Sequence, residues 1–262
     1  MSPEKTAPLH LLALHAFPLD GRMWSLLKAA AATGQLGDGV VVASPDFRGR
    51  GGSGLPAEPV HSMPLLAKDA LAALPAGAPF IAMGCSMGGY VALELLSRLG
   101  PELRPLLRGL VLCDSRANAD DEAGRARREE TAKAIEADGM EPLLEKMLPQ
   151  FLAPASRGGA LEQLLRAMFR ATPPATAAAD QRGMAARADR FDVLGTLTVP
   201  LLAAVGEDDP LTPPSASEAM VEAAENAPYV ELLTLLGAHM APLEHPELFV
   251  PKLGAFLDRC RG

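Results

Sequence analysis

Apolar residues in this chain cluster in short continuous runs, separated by longer stretches of helical period. Leu9–Leu14 is the first run, broken only by His10. A strand covered on both faces reads this way, as in a parallel sheet flanked by helices. Val40–Ala43, Phe80–Met83, Leu110–Cys113, Val199–Val205 and Tyr229–Leu235 repeat the pattern. Helical spacing fills the gaps. One helix carries Trp24, Leu26 and Leu27, another covers Met63–Leu74, and a third runs from Tyr90 to the stop signal Leu99-Gly100-Pro101. Two more cover Pro214–Glu225 and Pro246–Arg259.

The alternation stops once. Residues 117–192 read as helices only: a charged Glu122–Ala137, apolar-faced Glu141–Phe151 and Leu161–Arg170, and an alanine-rich Ala177–Ala188. Pro149, Pro154 and Pro173-Pro174 punctuate them. The expected organisation is an α/β core built from residues 1–116 and 193–262, with a helical insertion over 117–192 after the fourth strand. Open α/β sheets bind ligands outside their C-terminal strand ends, so an insertion there is expected to form a cap.

Composition narrows the partners. The chain has 262 residues, is 48% hydrophobic and carries a net charge of −8. That acidity argues against nucleic acid or an anionic membrane surface. No apolar run approaches the ~18 residues of a membrane span. Leu9–Phe17 is short, is broken by His10 and His15, and lacks a cleavage site, so it does not read as a signal peptide. The three cysteines, Cys85, Cys113 and Cys260, form no C-x-x-C and cannot all pair. They read as reduced thiols of a cytoplasmic protein, and neither metal nor cofactor is expected.

The chemistry concentrates at Gly84-Cys85-Ser86-Met87-Gly88-Gly89, between an apolar run and a helical one. Strand, Gly-x-Ser-x-Gly and helix together make a nucleophile elbow. The serine sits on a sharp turn, and the residues two before and two after it must be tiny. Centring the turn on Cys85 would put Met83 and Met87 at those positions, so Ser86 is the candidate nucleophile. A serine needs a base and an acid to orient that base. Among five histidines, His239 and His245 follow the acid candidates. His239 lies in a loop just past the sixth strand, whereas His245 precedes Pro246 as a helix cap would. Glu207, Asp208 and Asp209 all follow the fifth strand, and Asp114 follows the fourth.

With these blocks in place, the chain resembles the α/β-hydrolase superfamily, most closely small bacterial capped esterases and enol-lactonases of the 3-oxoadipate type. The resemblance rests on Leu14–Asp20, Asp46–Ser53, Gly84–Gly89, Gly206–Pro213 and Gly237–Glu244, in that order. It implies Asp209 as the acid, three residues after Gly206 and four before Pro213, with Asp114 as the runner-up and Asp208 as a turn residue. It implies backbone N–H donors from Phe17 and Met87 for an oxyanion, and a structural His15 ordering the first loop. Asp46 and Arg48 are expected to pair with one another and brace loops, or to hold a substrate carboxylate. Met140, Met147, Met168 and Met184 read as packing residues of the cap, some of them lining an apolar pocket. Two departures stand out. Relatives carry a β-hairpin before the first parallel strand, and only eight residues precede Leu9 here, so six parallel strands are expected. Relatives also carry glycine where this chain has Ala16. The expected activity is hydrolysis of a small ester or lactone. The alternatives are a cofactor-free perhydrolase using the same residues, and a small-molecule receptor without turnover.

Overall fold

A computed structural model describes residues 7–261. Its six strands form one sheet: β1 (Leu9–Leu14), β2 (Val40–Ala43), β3 (Phe80–Cys85), β4 (Leu107–Cys113), β5 (Leu201–Gly206) and β6 (Val230–Leu235). Their order is β2-β1-β3-β4-β5-β6, and every adjacent pair is parallel. Among the described residues no strand precedes β1. Every residue of β1, β3 and β5 is buried, which explains their unbroken apolar sequences. The edge strands β2 and β6 are partly exposed.

The register brings the loops of the C-terminal edge together. Leu14 lies opposite Gly84, Cys85 opposite Cys113, and Cys113 opposite Ala204. The chain leaves β1 for the edge at β2, then returns to β3 on the other side of β1. That reversal opens a crevice between the ends of β1 and β3. The loops after β1 and β3 therefore face each other across it.

Helices α1 (Ser25–Ala32), α2 (Met63–Leu71) and α3 (Met87–Ser97) belong to the first half of the sheet. Between β4 and β5 come α4 (Glu122–Asp138), α5 (Glu141–Phe151), α6 (Ala160–Ala171), α7 (Pro174–Ala185) and the short α8 (Phe191–Gly195). No strand interrupts them. Helix α4 buries only Gly124, Ala132 and Ile135, and packs chiefly along α7. Then follow α9 (Pro214–Ala223), the single turn α10 (Ala241–Glu244) and α11 (Pro246–Arg259).

Most boundaries shift by one to three residues from the sequence reading, α7 for instance running Pro174–Ala185 rather than Ala177–Ala188, and three shifts have a clear cause. Strand β4 starts at Leu107, three residues early, because exposed Arg108 and small Gly109 break the apolar run. Gly109 is required there: a Cβ would come within 2.8 Å of Cys260 Sγ on the residue that ends α11. Helix α2 ends at Leu71, and Ala73 and Leu74 close tighter i→i−3 turns before Pro75. Trp24 lies in a 3₁₀ turn, Gly21–Trp24, that precedes α1.

Candidate active site

The turn between β3 and α3 is as tight as its sequence demands. Ser86 holds φ 52° and ψ −115°, a conformation that L side chains rarely adopt. A Cβ on Gly84 would lie 2.2 Å from the Gly88 carbonyl, and one on Gly88 would lie 2.3 Å from the Leu14 carbonyl. Both positions therefore need glycine, one for the turn and one for the approach of α3 to β1. The strained serine is anchored by its own N–H, which donates to the Cys113 carbonyl at 2.9 Å. Ser115 Oγ donates to the Ser86 carbonyl at 3.0 Å.

The structure brings Ser86, His239 and Asp209 together from loops after β3, β6 and β5. His239 Nε2 is 2.9 Å from Ser86 Oγ, and His239 Nδ1 is 2.7 Å from Asp209 Oδ2. A carboxylate only accepts, so Nδ1 carries the proton and Nε2 is left to accept from the serine hydroxyl. Asp209 also accepts from the backbone N–H groups of Leu211 (2.8 Å) and Thr212 (3.0 Å), and from Thr212 Oγ1 (2.6 Å). Burial acts to raise its pKa, but the His239 ring and the Thr212 donors outweigh burial and hold it below the usual carboxylate value. Asp209 thus satisfies its own turn as well as the histidine. The expectation that Asp208 makes those turn bonds is overturned: its side chain is exposed and makes no hydrogen bond among the described residues.

Asp114 stays apart from the histidine. One of its oxygens accepts from Gly206 N–H at 2.9 Å, and the other is buried without a partner. Burial, reinforced by the charge of Asp209, pushes its carboxyl well up. Cys85, beside the serine, is also buried, and burial raises its thiol far above the range where a thiolate forms.

The backbone N–H of Phe17 and that of Met87 donate to no acceptor among the described residues. Phe17 follows β1, and Met87 opens α3, whose N-terminal end carries positive partial charge. His15 holds the first loop. Its Nδ1 bonds the Ala16 carbonyl at 3.0 Å, its Nε2 accepts from Phe47 N–H at 3.0 Å, and its ring packs against Phe47.

Other sequence expectations change. Asp46 and Arg48 do not pair. Asp46 accepts from Gly21 N–H at 2.7 Å and Gly52 N–H at 2.6 Å, while Arg48 bonds Asp69 at 2.7 and 3.0 Å. Both brace loops through partners distant in sequence, and neither lines the cavity at Ser86. His245 precedes α11 without a capping side-chain bond, and its ring lies 3.1 Å from Glu247. Met147 and Met184 line the cavity, whereas Met140 and Met168 pack in the core.

That cavity, about 110 Å³, lies over Ser86 and His239. Its far wall comes from α4, α5 and α7 through Arg128, Phe151 and Gln181. The Phe151 ring stands 5.5 Å from the His239 ring. The histidine loop is tied to the end of α5: Met240 N–H donates to the Phe151 carbonyl at 3.0 Å. Glu244 accepts from Ala238 N–H at 2.7 Å and from Ala153 N–H at 2.8 Å. Thr212 and Glu244 went unread as functional in the sequence, although each lies inside a glycine-bearing block that marks the site. Among the described residues no group of three His, Cys, Asp or Glu side chains is arranged to hold a metal ion. No helix among them is long and apolar enough to cross a membrane.

Residues 11–252 match the alpha/beta hydrolase family. The chain belongs to that family. Solved structures of similar shape include a thermophilic esterase from Thermogutta terrifontis with malate bound. It is 30% identical, has a TM-score of 0.85, and the match covers 98% of this chain and 92% of that one. A hydrolase from Pseudomonas aeruginosa PA01 is 25% identical over 96% of this chain and 90% of that one, with a TM-score of 0.80. An enol-lactonase from Burkholderia xenovorans LB400 shares the fold at 23% identity and a TM-score of 0.79, covering 97% of this chain and 92% of that one. No curated protein matches the sequence. This alpha/beta hydrolase therefore shares its architecture with an esterase, a hydrolase and an enol-lactonase across nearly its whole length.

Proposed function

We propose that this hydrolase cleaves small carboxylic esters or lactones through an acyl-enzyme. One observation carries the reading: the continuous hydrogen-bond relay from Asp209 through His239 to a strained Ser86, open to a cavity. Ser86 Oγ attacks the carbonyl carbon while His239 Nε2 takes its proton. Asp209 orients the imidazole and offsets the charge that forms on it. The N–H groups of Phe17 and Met87 receive the oxyanion of the tetrahedral intermediate. His239 then returns the proton to the leaving alcohol, or to the ring oxygen of a lactone. Water, deprotonated by the same nitrogen, clears the acyl group.

The helices between β4 and β5 act in this reading as a cap over residues 117–192. They supply the cavity wall opposite the serine and shield the reaction from bulk water. The T. terrifontis esterase, at 30% identity, supports the esterase class. A cavity of about 110 Å³ suits a short acyl group rather than a long chain. Three buried, unpaired thiols fit a reducing, cytoplasmic setting.

The test uses p-nitrophenyl esters of graded acyl length and a fluorophosphonate probe. Ser86→Ala should lose probe labelling and about a thousandfold or more in turnover while its circular dichroism stays unchanged. Turnover at the wild-type level in that variant would overturn the serine mechanism.

A further inference from the structure

Two arginines, Arg116 and Arg128, line the cavity beside Tyr90, and Arg187 lies against the same ring; one carboxylate serves two of the three. Asp120 is the shared carboxylate. It bonds Arg187 at 2.7 Å and also pairs with Arg128. Arg128 reaches on to Gln181 Oε1 at 3.2 Å, and Arg187 stacks over the Tyr90 ring, 4.3 Å from its centroid. Arg116 differs. It follows β4, lines the same cavity as Ser86, and has no carboxylate partner among the described residues. Among the described residues its one side-chain hydrogen-bond partner is the Tyr90 hydroxyl, 3.5 Å from Nε and too far for a firm bond. Asp209, behind the histidine, has its oxygens already taken by His239, Leu211 and Thr212. Tyr90 registers the imbalance. Burial acts to raise its phenol, yet Arg187, Arg116 and Arg128 outweigh burial and hold it below its ordinary value. Burial acts against the Arg116 charge, but Tyr90, Asp120 and Asp209 outweigh it and raise its pKa; among the described residues no carboxylate bonds the guanidinium, so its donor fork stays open to an anion on a ligand.

We infer that Arg116 holds an ionised carboxylate on the substrate, so the ester or lactone cleaved here is itself an acid anion. The inference rests on the hydrolase reading above and narrows its substrate class. A guanidinium presents parallel donors that fit a carboxylate in two-point contact, and a partly dry cavity strengthens the pair. The small cavity limits the spacing to a few bonds between that carboxylate and the scissile carbonyl. Arg116 thereby selects the acid and fixes which end of it meets Ser86.

The experiment compares kcat/KM, by proton release, for monomethyl glutarate and for its uncharged counterpart, methyl glutaramate. The wild type is expected to favour the anion tenfold or more, chiefly through KM. Arg116→Gln should cut that ratio at least tenfold, and Arg116→Lys should recover part of it, since charge returns without the fork. Equal treatment of both esters by the wild type overturns the inference. So does an unmoved ratio in an Arg116→Gln protein that melts as the wild type does. Calorimetric titration of glutarate into Ser86→Ala protein, with and without Arg116→Gln, needs no turnover. Tenfold weaker binding in the double variant supports the anion site even if neither ester is cleaved, and then only the ester reading falls. Absence of glutarate binding to Ser86→Ala overturns the anion site.

Discussion

Two aspartates were candidates for the acid, and their surroundings separate them. Asp209 accepts four hydrogen bonds and stays ionised, with the two backbone donors on Oδ1 and Thr212 Oγ1 sharing Oδ2 with His239. Asp114 is buried, keeps one oxygen without a partner, and is pushed toward its neutral form. An amide replaces a neutral carboxyl with little change in shape or charge. Asp114→Asn should therefore keep turnover within about tenfold of the wild type. In Asp209→Asn the amide would present a donor to Nδ1 and favour the wrong tautomer. A loss on the order of 10⁴ in kcat is expected, as for other serine triads. Measuring kcat for both variants on one short ester decides between them: a dead Asp114→Asn beside an active Asp209→Asn would move the acid to the fourth strand. The glycines around the turn were enough to nominate Ser86, and the loop after the sixth strand favoured His239, but Asp209 was separated from Glu207, Asp208 and Asp114 only by the family resemblance. Spacing could not reach the partners of Asp46 and Arg48. Asp69 and Gly21 lie 21 and 25 residues away, and only the fold decides that they meet.

Among the secondary elements, α7 lines the cavity, and both α6 and α7 also brace the first loop. Thr172, which ends α6, donates from its buried hydroxyl to the Pro18 carbonyl at 2.7 Å. Asp180 on α7 pairs with Arg50, and Arg50 donates to the Leu19 carbonyl at 3.1 Å. His61 Nδ1 meets the same aspartate at 2.7 Å. The Pro18 carbonyl is thus pinned from the end of α6, and the Leu19 carbonyl by Arg50, which α7 holds through Asp180. Ala16, where relatives carry glycine, is tolerated inside this frame: it is fully buried, and its N–H is directed at Met23 Sδ at 3.2 Å. Thr172→Val keeps the shape and removes the hydroxyl. The Pro18 carbonyl then loses a donor, at a stability cost of about 1–3 kcal/mol. If the tie positions the Phe17 N–H, kcat should fall about tenfold with KM nearly unchanged, since that donor acts mainly in the transition state. An unaltered kcat in the folded variant would show that α6 does not hold the loop. The strands were legible because doubly covered strands are continuous apolar runs. The single turn α10 and short α8 were not, since four or five residues carry too little period to be seen.

At the scale of the whole molecule, the first loop couples folding to pH through His15. The ring is completely buried and neutral, with one nitrogen donating to Ala16 and the other accepting from Phe47 N–H. A second proton would set an N–H against the Phe47 N–H. Burial first, and the charge of Arg50 second, lower its pKa from 6.5 to about 4, while the Ala16 carbonyl and the charges of Asp180 and Asp46 oppose the shift only in part. An unfolded chain takes up that proton near pH 6.5, and the folded one only near pH 4. The stabilisation from His15 is therefore complete above pH 6.5 and is lost as the pH falls toward 4. The shift corresponds to on the order of 3 kcal/mol, a large part of the ~5–15 kcal/mol that holds a typical domain. Asp120, lowered to about 2, loses its share only at more acid pH. Asp114 runs the other way, because its raised carboxyl favours the folded state as pH falls. Comparison of two proteins removes such shared contributions. His15→Gln keeps a donor and an acceptor but cannot titrate, so it should be less stable at pH 7.5 and lose less on acidification. Urea unfolding at pH 7.5, 6.5, 5.5 and 4.5 should give a wild-type curve that drops more steeply than the variant by about one proton's worth of slope. Parallel curves would mean that the linked proton belongs to another group.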